Sequence, residues 1–359
     1  MAHSQTATII IRVDSIAPDA SAIRQAAATL LGGGLVAFPT ETVYGLGANA
    51  LDAAAVQRIF AAKGRPASDP LIVHIAALDQ LDSVAQNVPA LAHTLARAFW
   101  PGPLTLVLKR RPAIPATVAA GRNTVAVRIP NHAVPLALAR AAGVPIAAPS
   151  ANLFTRPSPT TAAHVLEDLD GRIDLLLDGG PTPIGLESTV LDLTSAQPTL
   201  LRPGGVSIEA LRQHIPDLIF VPRYVEHNPA APTPASPGML LKHYSPRAEL
   251  LLFAGPPERA VARMRQAAQE AIAAGLIVGV MAPNQEIGAF ADLAVVIIPL
   301  GPREDMSQIG RRIFASMREL DRRGIERILV RGVERTGIGL AIWDRLLRAA
   351  EGRVIDADD

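Results

Sequence analysis

The residues with chemical potential collect at the ends of apolar runs. Pro39-Thr40-Glu41-Thr42 closes the run LVAFPTE, and its hydroxyls can bind a small polar ligand or cap the next helix. Lys63 and Arg65 bracket Gly64, with Pro66 fixing the exit. Two cations beside a permissive glycine suit a polyphosphate, and they equally suit the negative end of a helix dipole. His74 alternates with apolar residues in PLIVHI, as a ligand contact or a hydrogen-bonded core histidine would. Arg128 ends NTVAVRI. A cation there is partly buried and needs a partner, either a substrate carboxylate or an internal Asp or Glu. More hydroxyls and another cation follow in Ala148-Pro149-Ser150-Ala151-Asn152, Ser158-Pro159-Thr160, Glu187-Ser188-Thr189 and Leu201-Arg202-Pro203-Gly204.

No Asp-His-Ser arrangement has a plausible spacing for a hydrolase. No set of His, Asp and Glu has metal-ligand spacing, so any magnesium is expected to arrive with a nucleotide. Fixed cations and hydroxyls without a nucleophile suit an enzyme that positions two substrates and offsets phosphate charge.

Composition narrows the class. The chain has 359 residues, 49% hydrophobic and 19% charged, with a net charge of +1. That is globular, allows two domains of roughly 150 residues each, and excludes a strongly polyanion-binding protein. Cysteine is absent, which excludes disulfides, thiolate catalysis and cysteine-zinc sites. The start, MAHSQTATIIIRVD, lacks the pattern of a signal peptide, and no run reaches the roughly 18 to 20 apolar residues of a membrane span. A cytoplasmic protein is expected. Of 34 basic residues only Lys63, Lys109 and Lys242 are lysines. Two of them stand in KGRP and KHYSP, where a compact point charge differs from an arginine fork.

Elements alternate in a way that can bring these groups together. Helices are expected over 18–34, 53–63, 89–100, 132–142 and 160–170, with SIEALRQHI closing near 215. Strands are expected at LVAFPTE, PLIVHI, PLTLVLK, NTVAVRI, VPIAAPSAN, DLLLDGG, STVLDL and LLRPGG. Tyr44-Gly45-Leu46-Gly47 reads as a glycine turn. Several strands follow one another without a helix, so an open, mixed α/β sheet flanked by helices is predicted over 1–215. Seven prolines between 216 and 246 predict an extended linker. From 247 to 359 a smaller Rossmann-like α/β domain is predicted, with near-continuous apolar strands that belong in a buried parallel sheet. It has no glycine-rich phosphate fingerprint of the required spacing and reads as an accessory domain.

Taken together, PTETVYGLGA, KGRP, PLIVHI, FWPGPLTLVL, VAVRIP, APSAN, SPTT, ESTVLDL, LRPGG and KHYSPRA resemble the threonylcarbamoyl-AMP synthase family, which has a YrdC-like fold. The linker and tail resemble its long form with a C-terminal accessory domain. The resemblance implies that L-threonine, bicarbonate (or carbon dioxide) and ATP give threonylcarbamoyl-AMP and pyrophosphate, with magnesium delivered on the nucleotide. A partner enzyme then transfers the group to the adenosine beside the anticodon of certain tRNAs. The resemblance also implies roles. Thr42, His74, Arg128, the Ala148 backbone and Ser188 match threonine-binding positions. Arg65, Asp69, Thr124, Ser150, Ser158 and Arg202 match ATP-binding positions, and Tyr244 matches a residue that reaches back over the nucleotide. Lys63 joins the phosphate contacts on its charge. No general acid or base is assigned. Asp69 stands where the family often has asparagine, and Phe154-Thr155 where many members have Ser-Gly. A monomer is expected. A non-catalytic RNA-binding module is the rival reading, and near-neutral charge weighs against it. A carbamoyltransferase with a similar domain is the other, and it would carry cysteine-zinc modules.

Overall fold

The computed structural model describes residues 7–220 and 243–357, so most of the expected proline-rich linker lies outside the described residues. The chain forms two compact units. The first holds residues to Phe154, Ser158–Pro183 and the stretch from Glu187. The second holds Thr155–Pro157, Ile184–Leu186 and the chain beyond the linker.

The first unit is built on β1 (Ile9–Arg12), β2 (Val36–Phe38), β3 (Gly45–Asn49), β4 (Ile72–His74), β5 (Ala85–Gln86) and β6 (Leu104–Arg110). It continues with β7 (Thr124–Arg128), β8 (Ile146–Ala147), β9 (Leu175–Asp178), β10 (Thr189–Asp192), β11 (Thr199–Arg202) and β12 (Ile219–Phe220). They form one sheet in the order β1-β9-β2-β3-β8-β4-β7-β6-β10-β11-β12, with β5 beside β6. It is mixed, as predicted: β4 runs parallel to β7, whereas β6 and β7 are antiparallel. Its helices are α1 (Ala20–Leu31), α2 (Ala53–Lys63), α3 (Leu81–Val84), α4 (Ala90–Phe99), α5 (Ala133–Ala142), α6 (Ala162–Leu169) and α7 (Ile208–Arg212). Leu30, Leu138, Phe38 and Leu175 make part of the core between α1, α5 and the sheet; each such side chain contributes roughly 1.5–3 kcal/mol by burial.

The expected glycine turn is a correction. Gly45 to Asn49 is a strand, paired antiparallel with β2 so that Val36 faces Gly47 and Phe38 faces Gly45. The glycines make room for a ring rather than a bend. A Cβ on Gly47 would lie 2.6 Å from Phe38 Cε1 and 2.8 Å from Ile146 Cγ2, far inside contact distance. The reversal falls instead at Pro39–Tyr44. There Thr40 Oγ1 accepts from the Thr42 and Val43 amides and donates to the Val43 carbonyl.

The second unit has five strands, β13 (Glu249–Ala254), β14 (Val278–Ala282), β15 (Val295–Pro299), β16 (Arg327–Arg331) and β17 (Val354–Asp356). All four neighbouring pairs are parallel, in the order β15-β14-β16-β13-β17. Its helices are α8 (Pro257–Ala273), α9 (Met306–Arg322) and α10 (Gly339–Ala349). Among the described residues no helix is long and apolar enough to cross a membrane.

Candidate active site

Buried polar side chains gather in the first unit at strand ends and the loops that follow them. Strand β4 places His74 beside Arg128 of β7, its register partner. Both are buried, with 4% and 3% of their surface exposed. The Pro39–Tyr44 loop brings Thr42 and Glu41 to the same guanidinium. Arg128 Nη1 donates to Thr42 Oγ1 at 3.0 Å, Nε donates to the Gly102 carbonyl at 3.1 Å, and Nη2 stands 2.6 Å from Glu41 Oε1. Of the two partners foreseen for Arg128, the internal carboxylate is therefore present. Nε and Nη1 donate to these partners, whereas Nη2 meets Glu41 as an ion pair without hydrogen-bond geometry.

His74 stays neutral. Burial first, and the Arg128 charge second, hold its pKa down to about 3. Its Nδ1 is buried without a hydrogen-bond partner. An orphaned polar atom in a close-packed interior is rare, and this one is suited to a hydroxyl.

Ser188 and Arg202 form the neighbouring cluster. Arg202 Nη2 donates to the Ser188 carbonyl at 2.9 Å and to Ser188 Oγ at 3.3 Å. Ser188 Oγ also shares a 2.8 Å hydrogen bond with Thr105 Oγ1 on β6. The close approach needs Gly204, where a Cβ would lie 2.3 Å from the Ser188 carbonyl carbon and the Thr189 nitrogen.

A third group of charges follows α2. Asp52 caps the helix by accepting from the Ala54 and Ala55 amides, and Gly64 ends it in the left-handed conformation. Arg65 then turns inward. Its Nη2 lies 3.0 Å from Asp69 Oδ2 and donates to the Pro70 carbonyl at 2.8 Å, and Nε donates to the Asp69 carbonyl at 3.2 Å. Burial pushes the Asp69 carboxyl up, against the opposing pull of Arg65, Lys63 and Arg202. The carboxylate thus faces cations of its own chain, which makes it compatible with a phosphate nearby.

Lys63, expected among the phosphate contacts, is held by carbonyls of its own chain. Only 2% of it is exposed, and its ammonium donates to the Ser150 and Asn152 carbonyls. In this structure it holds the loop after β8, and the Phe154 amide returns a bond to the Lys63 carbonyl at 2.9 Å. Ala148 donates its amide to Ile72, and Ser150 bridges Gly45. Ser158 is fully buried and donates to Glu187 Oε1. Thr124 begins β7, half-buried.

Tyr244 belongs to the second unit. It is buried, with φ +61°, and its ring lies 5.4 Å from Phe314 and 5.2 Å from the Arg345 guanidinium. Glu41, Thr105 and Glu187 all lie within motifs of the sequence, yet the sequence assigns none of them a role. Thr105 looks like any polar residue in an alternating strand. Glu41 carried a signal, an acid at the end of an apolar run. Among the described residues, no three His, Asp or Glu side chains are grouped to hold a metal.

The comparisons with known proteins extend over both units. Residues 28–204 match the Sua5_yciO_yrdC family model, described as "Telomere recombination". Residues 206–351 match "Threonylcarbamoyl-AMP synthase, C-terminal domain". The threonylcarbamoyl-AMP synthase of Pyrococcus abyssi is 45% identical over 333 residues, 93% of this chain and 95% of its own. That of Bacillus subtilis is 44% identical over 343 residues, 95% of this chain and 96% of its own. The crystal structure of Pyrococcus abyssi Sua5 complexed with L-threonine superimposes with a TM-score of 0.91 at 44% identity. The match covers 97% of this chain and 99% of that one.

Proposed function

The chain belongs to the threonylcarbamoyl-AMP synthase family, and on that premise we propose that it converts L-threonine, bicarbonate (or carbon dioxide) and ATP into threonylcarbamoyl-AMP and pyrophosphate. The observation that carries this is the whole-chain likeness to a Sua5 structure holding L-threonine. In reaction class it is an adenylyl transfer.

Threonine sits between the β4–β7 strand ends and Ser188. The Arg128 guanidinium takes its carboxylate. Thr42, His74, the Ala148 backbone and Ser188 hold the rest of the molecule. The orphaned His74 Nδ1 contacts the substrate hydroxyl. The neutral amine adds to carbon dioxide with loss of a proton, giving a carbamate. A carbamate oxygen attacks the α-phosphorus of ATP, the bond to the β-phosphate oxygen breaks, and pyrophosphate leaves with magnesium. Arg65, Asp69, Thr124, Ser150, Ser158 and Arg202 cradle the nucleotide. Lys63, held on two carbonyls, fixes the loop carrying Ser150 and adds its charge to the same field. The carbamate is already anionic, so no side chain has to act as general base. Tyr244 is proposed to reach over the nucleotide from the end of the linker. The product passes to a tRNA threonylcarbamoyl transferase.

Titration calorimetry with L-threonine and L-serine tests the amino-acid site. Serine lacks one methyl group, worth about 1–3 kcal/mol. It should bind more weakly than threonine and still measurably. Equal affinity for both would show that the pocket for the hydroxyl and methyl is wrongly placed.

A further inference from the structure

A second cavity lies wholly within the second unit, at the carboxyl ends of its parallel strands. It measures about 330 Å³, within the size range of small-molecule sites. Gly255 enters it from the end of β13, Glu286 from beyond β14, Arg303 from beyond β15, and Arg335 from beyond β16. The topology explains the opening. The chain steps from β13 to β14 to β15 toward one edge, then returns through β16 and β17 toward the other. Right-handed crossovers put the connections on opposite faces: α9 touches α10, whereas α8 touches the short helical turn Ile287–Phe290. β16 lies between β14 and β13, so its exit loop parts from theirs. In open α/β sheets, such a switch point is where ligands bind.

The lining has three chemistries. First, cations: the Arg303, Arg331 and Arg335 guanidiniums stand against only two carboxylates, Glu286 and Glu334. Arg331 is a fixture. It donates to the Phe253, Gly332 and Gly255 carbonyls at 3.1, 3.0 and 2.7 Å and ties the two strand exits together. Arg303 has 45% of its side chain exposed, so its guanidinium can meet an anion. Second, an acceptor: Glu286 is paired through Oε1 with Arg303 at 2.7 Å, but its Oε2 is buried, 3.4 Å from Arg331 Nε and without a hydrogen bond. That oxygen wants a donor such as a hydroxyl. Third, a flat surface: the Arg335 guanidinium lies 3.8 Å over the Trp343 ring, and a guanidinium plane also stacks on nucleobases.

We propose that this crevice is a second ligand site that binds a mononucleotide. The phosphate lies at Arg303, a ribose hydroxyl donates to Glu286 Oε2, and the base stacks on Arg335. The site differs from the ATP site proposed for the first unit, because all its lining residues belong to the second.

The full chain has two tryptophans, so a Trp100→Phe protein reports Trp343 fluorescence alone. AMP should quench it saturably. An Arg303→Ala/Arg335→Ala change should weaken that response by about tenfold or more, while leaving threonine-dependent pyrophosphate release within about twofold. The 2′,3′-dideoxy analogue of AMP should bind about tenfold more weakly than AMP, for want of the ribose donor. No saturable response at millimolar AMP, or one unchanged by the double substitution, would overturn the proposal. Equal binding of the dideoxy analogue would overturn the Glu286 contact. Calorimetry of AMP on the unmodified tryptophan background gives an independent reading: loss of a class of AMP site on Arg303→Ala/Arg335→Ala supports the proposal, and an isotherm unchanged by that double substitution contradicts it.

Discussion

Two clusters of buried charge, one in each unit, are built differently. In the second, the fully buried arginines Arg345 and Arg348 sit on α10, and Asp344 lies 2.6 Å from the first and 3.0 Å from the second. Burial pushes Asp344 up, yet Arg348 and Arg345 pull harder and leave it below the usual carboxylate range. These ion pairs run along one regular helix. In the first unit Arg65, Arg128 and Arg202 sit at strand ends and loops, and each leans on backbone carbonyls as well as side chains. Beside them stands a histidine with a vacant nitrogen. A buried charge is therefore not evidence of a site by itself. A buried charge held by irregular backbone, next to an unsatisfied neutral acceptor, is the better sign.

The largest effect that could break this contrast is expected at Arg128. Arg128→Ala leaves Glu41 buried without its ion pair, a change that costs about 3–5 kcal/mol. Urea unfolding should show that loss, and calorimetry should show no threonine binding. Adding Glu41→Gln should recover part of the stability and none of the binding. Recovery of binding would remove Arg128 from the threonine site.

Gly204→Ala comes next. Its methyl group must displace backbone at Ser188, an overpacking effect of about 1–3 kcal/mol. Pyrophosphate release should fall far more than the unfolding midpoint. A variant with full activity would show that the Ser188–Arg202 geometry is not needed.

The third effect is pH dependence. The folded pKa of His74, about 3, lies below its ordinary 6.5, so between these values the unfolded chain binds a proton that the folded chain refuses. Its contribution is complete above pH 6.5 and is lost as pH falls toward 3, at about 1.4 kcal/mol per pH unit. Urea unfolding at several pH values, compared with His74→Gln, should show a shallower loss in the variant. The His74 Cε1 resonance should not titrate between pH 8 and 5; a midpoint near 6.5 would mean a solvated ring. Last comes Arg303→Ala in the second unit: it leaves the buried Glu286 with Arg331 alone, so about 1–3 kcal/mol is expected in urea unfolding.

Much of this was legible in the chain. Helix α2 could be bounded because Asp52, the Val56–Ile59–Phe60 spacing and Gly64 all agree with one helix. The strand at Gly45–Asn49 could not, because local propensity reads its glycines as a turn. Their reason is the Phe38 ring on the paired strand, a contact set by tertiary structure. The same limit applies to the site. Arg128 announced its need for a partner, but only folding shows that Glu41 is one. Lys63 advertised a phosphate contact, whereas the carbonyls that hold it come from residues 150 and 152. The crevice of the second unit has no fingerprint, since four separate strand exits build it.

The central claim is that the first unit positions threonine and ATP for adenylyl transfer. Pyrophosphate release by the purified chain, with ATP, magnesium and bicarbonate, tests it most directly. Release should depend on both L-threonine and bicarbonate, and it should disappear in Arg128→Ala/Glu41→Gln. Release that is indifferent to threonine, or absence of binding of both ATP and threonine, would contradict the account.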